Sequence, residues 1–245
     1  NDGSFKLFID NEIPDNFMNH AGENIEIYSM NTFKEKLSEL AGNTILFDPF
    51  SNKWVANNLK NNNCKLVLHP DPCILPKACK NSIEINGMKK SHIRDGAAVC
   101  EFLSWLDNEM IYNHNLDESI LSDKLETFRE KKEKFKGLSF STISASGANA
   151  AMCHYNHNNQ NIPGELVHNN VYLVDSGGQY LDGTTDITRT IAIGEVSDEI
   201  KKAFTLVLKG HIALGSAIFP KGTSGLQLDS LARQFLWNEG LNYDH

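Results

Sequence analysis

The segment Tyr172-Leu-Val-Asp-Ser-Gly-Gly-Gln-Tyr-Leu-Asp-Gly-Thr-Thr-Asp-Ile-Thr-Arg-Thr190 holds the residues best suited to chemistry. Asp175 ends an apolar run that reads as a strand, where a charge is costly unless it is paired or bound to a cation. Gly177 and Gly178 permit a tight change of direction, and Asp186 opens the next strand, eleven residues after Asp175. If the two strands are antiparallel neighbours, residues facing each other across the pair project to one face. Carboxylates held that way repel unless a cation sits between them. Hard oxygen ligands favour manganese, magnesium or a similar ion. The competing reading makes Asp175 and Asp186 plain turn and cap residues, as aspartates often are. Spacing alone leaves both open.

The elements that must position this segment fall into two groups. Short apolar runs at 6–9, 25–28, 44–47 and 65–68 alternate with helical patterns at 33–41 and 52–61, which predicts a parallel, layered α/β domain. No glycine-rich phosphate loop follows any of these strands, so a nucleotide site is not indicated. Pro70, Pro72 and Pro76 mark a boundary, with one domain over 1–81 and a second over 82–245.

The second domain opens on a long helical pattern whose apolar face reads as Ile85, Met88, His92, Gly96, Cys100, Leu103 and Leu106. A second helix carries Leu121, Leu125 and Phe128, then a mixed-sign charged tail from Arg129 to Lys134 that reads as solvated. Strands of a curved antiparallel sheet are expected at 140–146, 150–155, 171–175 and 187–193. Ser197 is a plausible N-cap for the next helix, and another runs over 224–239 with Gly240 as its stop. Helices grouped on one side of an antiparallel sheet describe an α+β domain. Asn-rich stretches, including His157 to Asn161, read as surface loops.

Composition narrows the classes. The 245 residues are 40% hydrophobic and 22% charged, an ordinary globular profile for one large or two smaller domains. Acidic residues number 31 against 23 basic, and no Lys/Arg stripe is present, so no nucleic-acid partner is expected. Five cysteines without CxxC spacing argue against a disulfide framework or a thiolate zinc site and favour a reducing compartment. No apolar run approaches a membrane span, and the first residues do not form a signal peptide. The missing initiator Met suggests a chain that begins partway into a longer protein.

The Asp175 to Thr190 segment resembles the signature hairpin of the pita-bread metallopeptidases, specifically Xaa-Pro aminopeptidases (aminopeptidase P) of the three-domain eukaryotic type. The same resemblance extends to Gly87-Met-Lys-Lys-Ser-His-Ile-Arg-Asp-Gly-Ala97, Phe102-Leu-Ser-Trp105, Leu138-Ser-Phe-Ser-Thr-Ile-Ser144, Leu206-Val-Leu-Lys-Gly-His211 and Phe219-Pro-Lys-Gly-Thr223. It implies a creatinase N-terminal-like α/β domain, of which 1–81 is the C-terminal part. An α+β pita-bread catalytic domain follows, incomplete here, with 82–245 as its N-terminal half.

The resemblance also implies the site. Asp175 would bind one of two divalent ions and Asp186 would bridge both; manganese is expected, with zinc or cobalt as alternatives. His154 matches the histidine that contacts substrate. Tyr243-Asp-His245 matches the start of a His-Gly-Thr-Gly-His segment, making His245 a catalytic, proton-handling and substrate-binding residue. Read without the family, a His beside a Tyr is more often structural. A further His and two Glu ligands are expected beyond His245, so the 245 residues alone should be inactive. The implied activity is removal of the N-terminal residue from peptides with proline second, by a water activated between the ions. A cytoplasmic homodimer is expected, with an acidic digestive compartment as the alternative location. Prolidase, another pita-bread aminopeptidase, or a non-enzymatic pita-bread binding module are the rival readings. Retention of Asp175, Asp186, His154 and His245 argues against the last.

Overall fold

The structure, a computed structural model, describes residues 3–14, 16–112 and 115–243. Contacts divide the chain into two compact units, Asn1–Lys80 and Asn81–His245.

The first unit runs β1 (Phe5–Phe8), α1 (Phe17–Ala21), β2 (Ile25–Tyr28), α2 (Phe33–Ser38), β3 (Thr44–Phe47), α3 (Lys53–Asn61), β4 (Lys65–Leu68) and α4 (Ile74–Ala78). β1 pairs with β2 and β3 with β4, both in parallel, as the alternation of strand and helix patterns requires. Leu37, Phe47, Leu59 and Cys64 form the core between helices and strands. Asn52 caps α3 by accepting from the Trp54 N–H at 2.8 Å. The five-residue helices α1 and α4 were not legible in the sequence; each is too short to show a period.

The second unit begins with α5 (Ser82–Ile111), opened by a reciprocal capping box between Asn81 and Glu84. α6 (Glu118–Glu130) follows, with Asp117 accepting from the Ile120 N–H at 2.8 Å. Then come β5 (Phe135–Leu138), β6 (Ile143–Ser146), β7 (Asn170–Ser176), β8 (Gly178–Tyr180), β9 (Gly183–Thr184) and β10 (Ile187–Ile193). α7 (Asp198–Gly215) and α8 (Gly225–Trp237) close the order, with Ser197 and Ser224 as their N-caps. The strands form two antiparallel sheets, β10-β7-β6 and β5-β8-β9. Val99, Phe102 and Leu106 of α5 and Leu121 and Leu125 of α6 pack against Tyr172 and Val174 of β7 and Ile193 of β10. Among the described residues no helix is long and apolar enough to cross a membrane.

Four expectations need correction. The buried face of α5 is Gly87, Ser91, Asp95, Ala98, Val99, Phe102 and Leu106, while Ile85, His92 and Cys100 are exposed. The face was misread because two of its core positions are polar and one is a glycine. A Cβ at Gly87 would lie 2.2 Å from the Asp182 carbonyl oxygen, so the helix can meet the β8–β9 turn only there without a side chain. Arg129 is not part of a solvated tail; it is fully buried. Residues 150–155 form no strand, because β6 ends at Ser146 and the chain turns through a 3-10 segment, Gly147–Ala151. His157, assigned to a surface loop, is 3% exposed.

Candidate metal centre

β7 alternates strictly. Tyr172, Val174 and Ser176 are buried toward α5 and α6, and Asp175 projects to the other side of the sheet. Thr188 of β10 lies directly opposite Asp175 and donates its hydroxyl to Asp175 Oδ1 at 2.8 Å. Asp186 precedes β10 by one residue and is exposed. The β7–β10 ladder ends with Ile187 opposite Ser176, so Asp186 lies one residue beyond it and not directly opposite Asp175. A cleft of about 300 Å³ lies at the far end of this sheet face, lined by Val171, Thr190, Ala192, Ile200 and Phe204 among others. It contains neither carboxylate.

The route from β7 to β10 explains why the aspartates can be eleven residues apart and still neighbours. At Gly177 the chain leaves one sheet for the other. Ser139 donates its backbone N–H to the Gly177 carbonyl at 3.1 Å and its hydroxyl to the Thr185 carbonyl at 2.9 Å. The Thr185 hydroxyl accepts from the Gly178 N–H at 2.8 Å. A Cβ on Gly177 would lie 2.0 Å from the Thr185 carbonyl oxygen, a distance no side chain can occupy. The small β8–β9 hairpin is thereby looped out, and the chain returns in register beside Asp175.

This hairpin is anchored by buried charge. Arg129 grips Asp95 with two hydrogen bonds, Nε to Oδ1 at 2.8 Å and Nη2 to Oδ2 at 3.0 Å, both side chains being fully buried. Tyr180 of β8 donates its hydroxyl to Asp95 Oδ1 at 2.8 Å. Burial raises the Asp95 pKa, but Arg129, Tyr180 and Thr185 outweigh it and hold the group below the usual carboxylate range. Asp182, at the hairpin tip, pairs with Arg94 and with Lys134.

His154 is exposed, in a turn after the 3-10 segment, with a left-handed φ of 54°. The next residue, Tyr155, is buried and donates its hydroxyl to Glu118 Oε2 at 2.6 Å. Sequence reasoning missed Glu118, which looks like any first-turn acid of a helix. Asp175 and Asp186 lie on the β7–β10 pair and His154 on the loop after β6; His245 lies outside the described residues.

Asp175 on the β7–β10 ladder and Asp186 one residue beyond its end form no ion pair with a Lys, Arg or His among the described residues, and two such carboxylates suit an oxygen-preferring divalent cation. Asp175 keeps coordination capacity beyond its bond to Thr188, and the exposed Asp186 is open to a ligand. Among the described residues no cluster of three or more His, Cys, Asp or Glu side chains has metal-binding geometry, so this pair is a partial donor set.

Comparison with known proteins places the chain in a family. Residues 86–245 match metallopeptidase family M24, and residues 1–84 match the creatinase/prolidase N-terminal domain. A probable Xaa-Pro aminopeptidase P of Tuber melanosporum is 42% identical over 259 aligned positions, which take in 99% of this chain and 42% of that protein. Another, of Talaromyces marneffei, is 57% identical over 170, covering 69% of this chain and 26% of that one. The crystal structure of X-prolyl aminopeptidase from Caenorhabditis elegans, described as a cytosolic enzyme with a di-nuclear active site, superposes with a TM-score of 0.89 at 34% identity. That match covers 99% of this chain and 41% of the nematode chain. The chain thus spans about two fifths or less of the length of these relatives. It belongs to metallopeptidase family M24, with a creatinase-type N-terminal α/β domain ahead of a pita-bread domain.

Proposed function

We propose that the whole protein is a metal-dependent aminopeptidase that removes the N-terminal residue from peptides with proline second. Residues 82–245 supply the N-terminal half of its pita-bread catalytic domain. The observation that carries this reading is the Asp175/Asp186 pair at the end of the β7–β10 ladder, in a chain similar over its length to Xaa-Pro aminopeptidases P. Asp175 and Asp186 would be this chain's ligands to the ions. The nematode relative's di-nuclear active site supports two ions, and the all-oxygen pair supports manganese. The ions, when bound, supply a water of lowered pKa and polarise the scissile carbonyl.

The chain's own residues do the rest. His154 contacts the bound peptide, and His245 stabilises developing charge and moves a proton. Thr188 fixes the orientation of Asp175. Proline's tertiary amide has no N–H and a fixed φ, so a dedicated site for it is physically reasonable. A cytoplasmic homodimer completes the reading, the location resting on the cytosolic nematode relative.

The test is a matched pair of tripeptides, identical except for proline or alanine at position two, offered to the whole protein with manganese. Proline-second peptide should be cleaved far faster. Equal rates would reassign the protein to a general aminopeptidase, and cleavage confined to dipeptides would make it a prolidase.

A further inference from the structure

Glu118 opens α6 with its side chain fully buried, and it forms no ion pair with a Lys, Arg or His among the described residues. A carboxylate in that position must be satisfied by hydrogen-bond donors alone. It has four. Oε1 accepts from the Ser146 N–H at 2.7 Å and Asn149 Nδ2 at 2.8 Å, while Oε2 accepts from the Tyr155 hydroxyl at 2.6 Å and the Gly164 N–H at 2.8 Å. Asn149 Nδ2 also lies 3.0 Å from the Tyr155 hydroxyl oxygen, which closes the network. Burial raises the Glu118 pKa, and the donors outweigh it, so the group is held below the ordinary carboxylate range. Burial, and then the bond to Glu118, pushes the Tyr155 hydroxyl up to about 12, which keeps it a donor.

The four donors come from places that define one excursion of the chain. Ser146 is the last residue of β6, Asn149 lies in the 3-10 segment, Tyr155 follows His154, and Gly164 lies on the way back to β7. A Cβ on Gly164 would lie 2.7 Å from Glu118 Oε1, so the returning strand is drawn hard against the carboxylate. His154 holds a left-handed φ of 54°, a conformation that costs energy for any residue with a Cβ and persists where its surroundings enforce it. Its chain neighbour is the residue clamped by Glu118. Both carboxylate oxygens are saturated and buried, so Glu118 itself cannot reach a substrate.

We infer that Glu118 is a positioning residue for His154, acting through the Tyr155 hydroxyl to fix where the imidazole is presented. This rests on the reading that His154 contacts the bound peptide. Glu118 also ties the end of β6, the strand that pairs with Asp175 through Ile143, to the loop bearing His154. The two halves of the proposed site are thereby held in one register.

The experiment is a double-mutant cycle in the whole, metal-loaded protein, using Tyr155→Phe, Glu118→Gln and His154→Ala singly and in pairs. Tyr155→Phe removes one oxygen and leaves the other three donors to Glu118. Glu118→Gln sets an NH2 group against a backbone N–H, of Ser146 or of Gly164, whichever way the amide turns. Each should lower kcat/KM on a proline-second peptide, Tyr155→Phe by about tenfold as expected for losing a hydrogen bond to a charged group, with metal content unchanged. In the His154→Ala background neither should cause a further loss, because the residue they position is gone. Equal losses in both backgrounds would overturn the inference while leaving the peptidase reading intact. His154→Ala with full activity would overturn the substrate role of His154 and this inference together. If Glu118→Gln does not fold, Tyr155→Phe alone decides the cycle.

Discussion

Thr188 faces Asp175 across the β7–β10 ladder and donates its hydroxyl to one carboxylate oxygen at 2.8 Å. The bond fixes how Asp175 presents its remaining lone pairs, which on the proposed reading face an ion. Thr188→Val keeps the β-branched shape and removes the donor, so the strand should be preserved. Manganese affinity of the whole protein, measured by calorimetry, should fall by about tenfold, as for loss of other groups that orient a metal ligand. Unchanged affinity would show that Asp175 needs no such support.

The Asp95–Arg129 pair should dominate stability on the helical side of the second unit. Asp95→Ala leaves a buried guanidinium without its partner, and the expected cost is about 3–5 kcal/mol. Replacing both, as Asp95→Leu with Arg129→Met, should cost less, because no buried charge is then left unpaired. Denaturant unfolding of the three proteins checks this ordering.

The same pair sets a pH dependence. The Asp95 pKa is lowered in the folded state, so its stabilisation is present above the unfolded value, 3.8, and is lost as pH falls through the lower folded value. Stability measured from pH 7 downward should therefore fall below about pH 4. Asp95→Asn should start lower and decline less over that window. Parallel curves for the two proteins would remove Asp95 from the account.

Gly177→Ala tests the crossover between sheets. Its Cβ would fall 2.0 Å from the Thr185 carbonyl and 2.3 Å from Ser139 Oγ, and the backbone carbonyl cannot swing aside as a flexible side chain would. We expect a loss of about 1–3 kcal/mol of stability, as for overpacking elsewhere, together with weaker metal binding. Thermal unfolding with and without manganese measures both. A variant of normal stability and normal metal affinity would mean that the Asp175–Asp186 register does not depend on this contact.

What the sequence made legible was local. β2, β3 and β4 start and end where their apolar runs do, β10 coincides with its run, and the Asp175 and Asp186 neighbourhood shows because strand, glycine pair and strand lie within one short segment. What stayed hidden was long-range. Ser91 interrupts the apolar period of α5 because its hydroxyl is satisfied by the Met88 carbonyl one turn back in the same helix, and Asp95 because its partners lie on other elements. Arg129 hides in a charged run for the same reason: its counter-ion is a full helix away in the sequence. Glu118 is the sharper case, since its four donors are spread from Ser146 to Gly164 and nothing around residue 118 announces a buried acid. Hydrophobic periodicity reports burial only where burial is apolar. That Asp186 falls one residue past the end of the ladder, and not opposite Asp175, depends on where a looped-out hairpin lets the pairing resume.

The most direct test of the metal centre is Asp186→Ala in the whole protein, with ions per chain counted by elemental analysis and proline-second hydrolysis measured on the same sample. If Asp186 is a ligand shared by two ions, as proposed, its loss should remove at least one of them. The account predicts at least one ion fewer than wild type and no measurable turnover, with the fold retained because Asp186 is exposed. A fully metallated, fully active Asp186→Ala protein would contradict it.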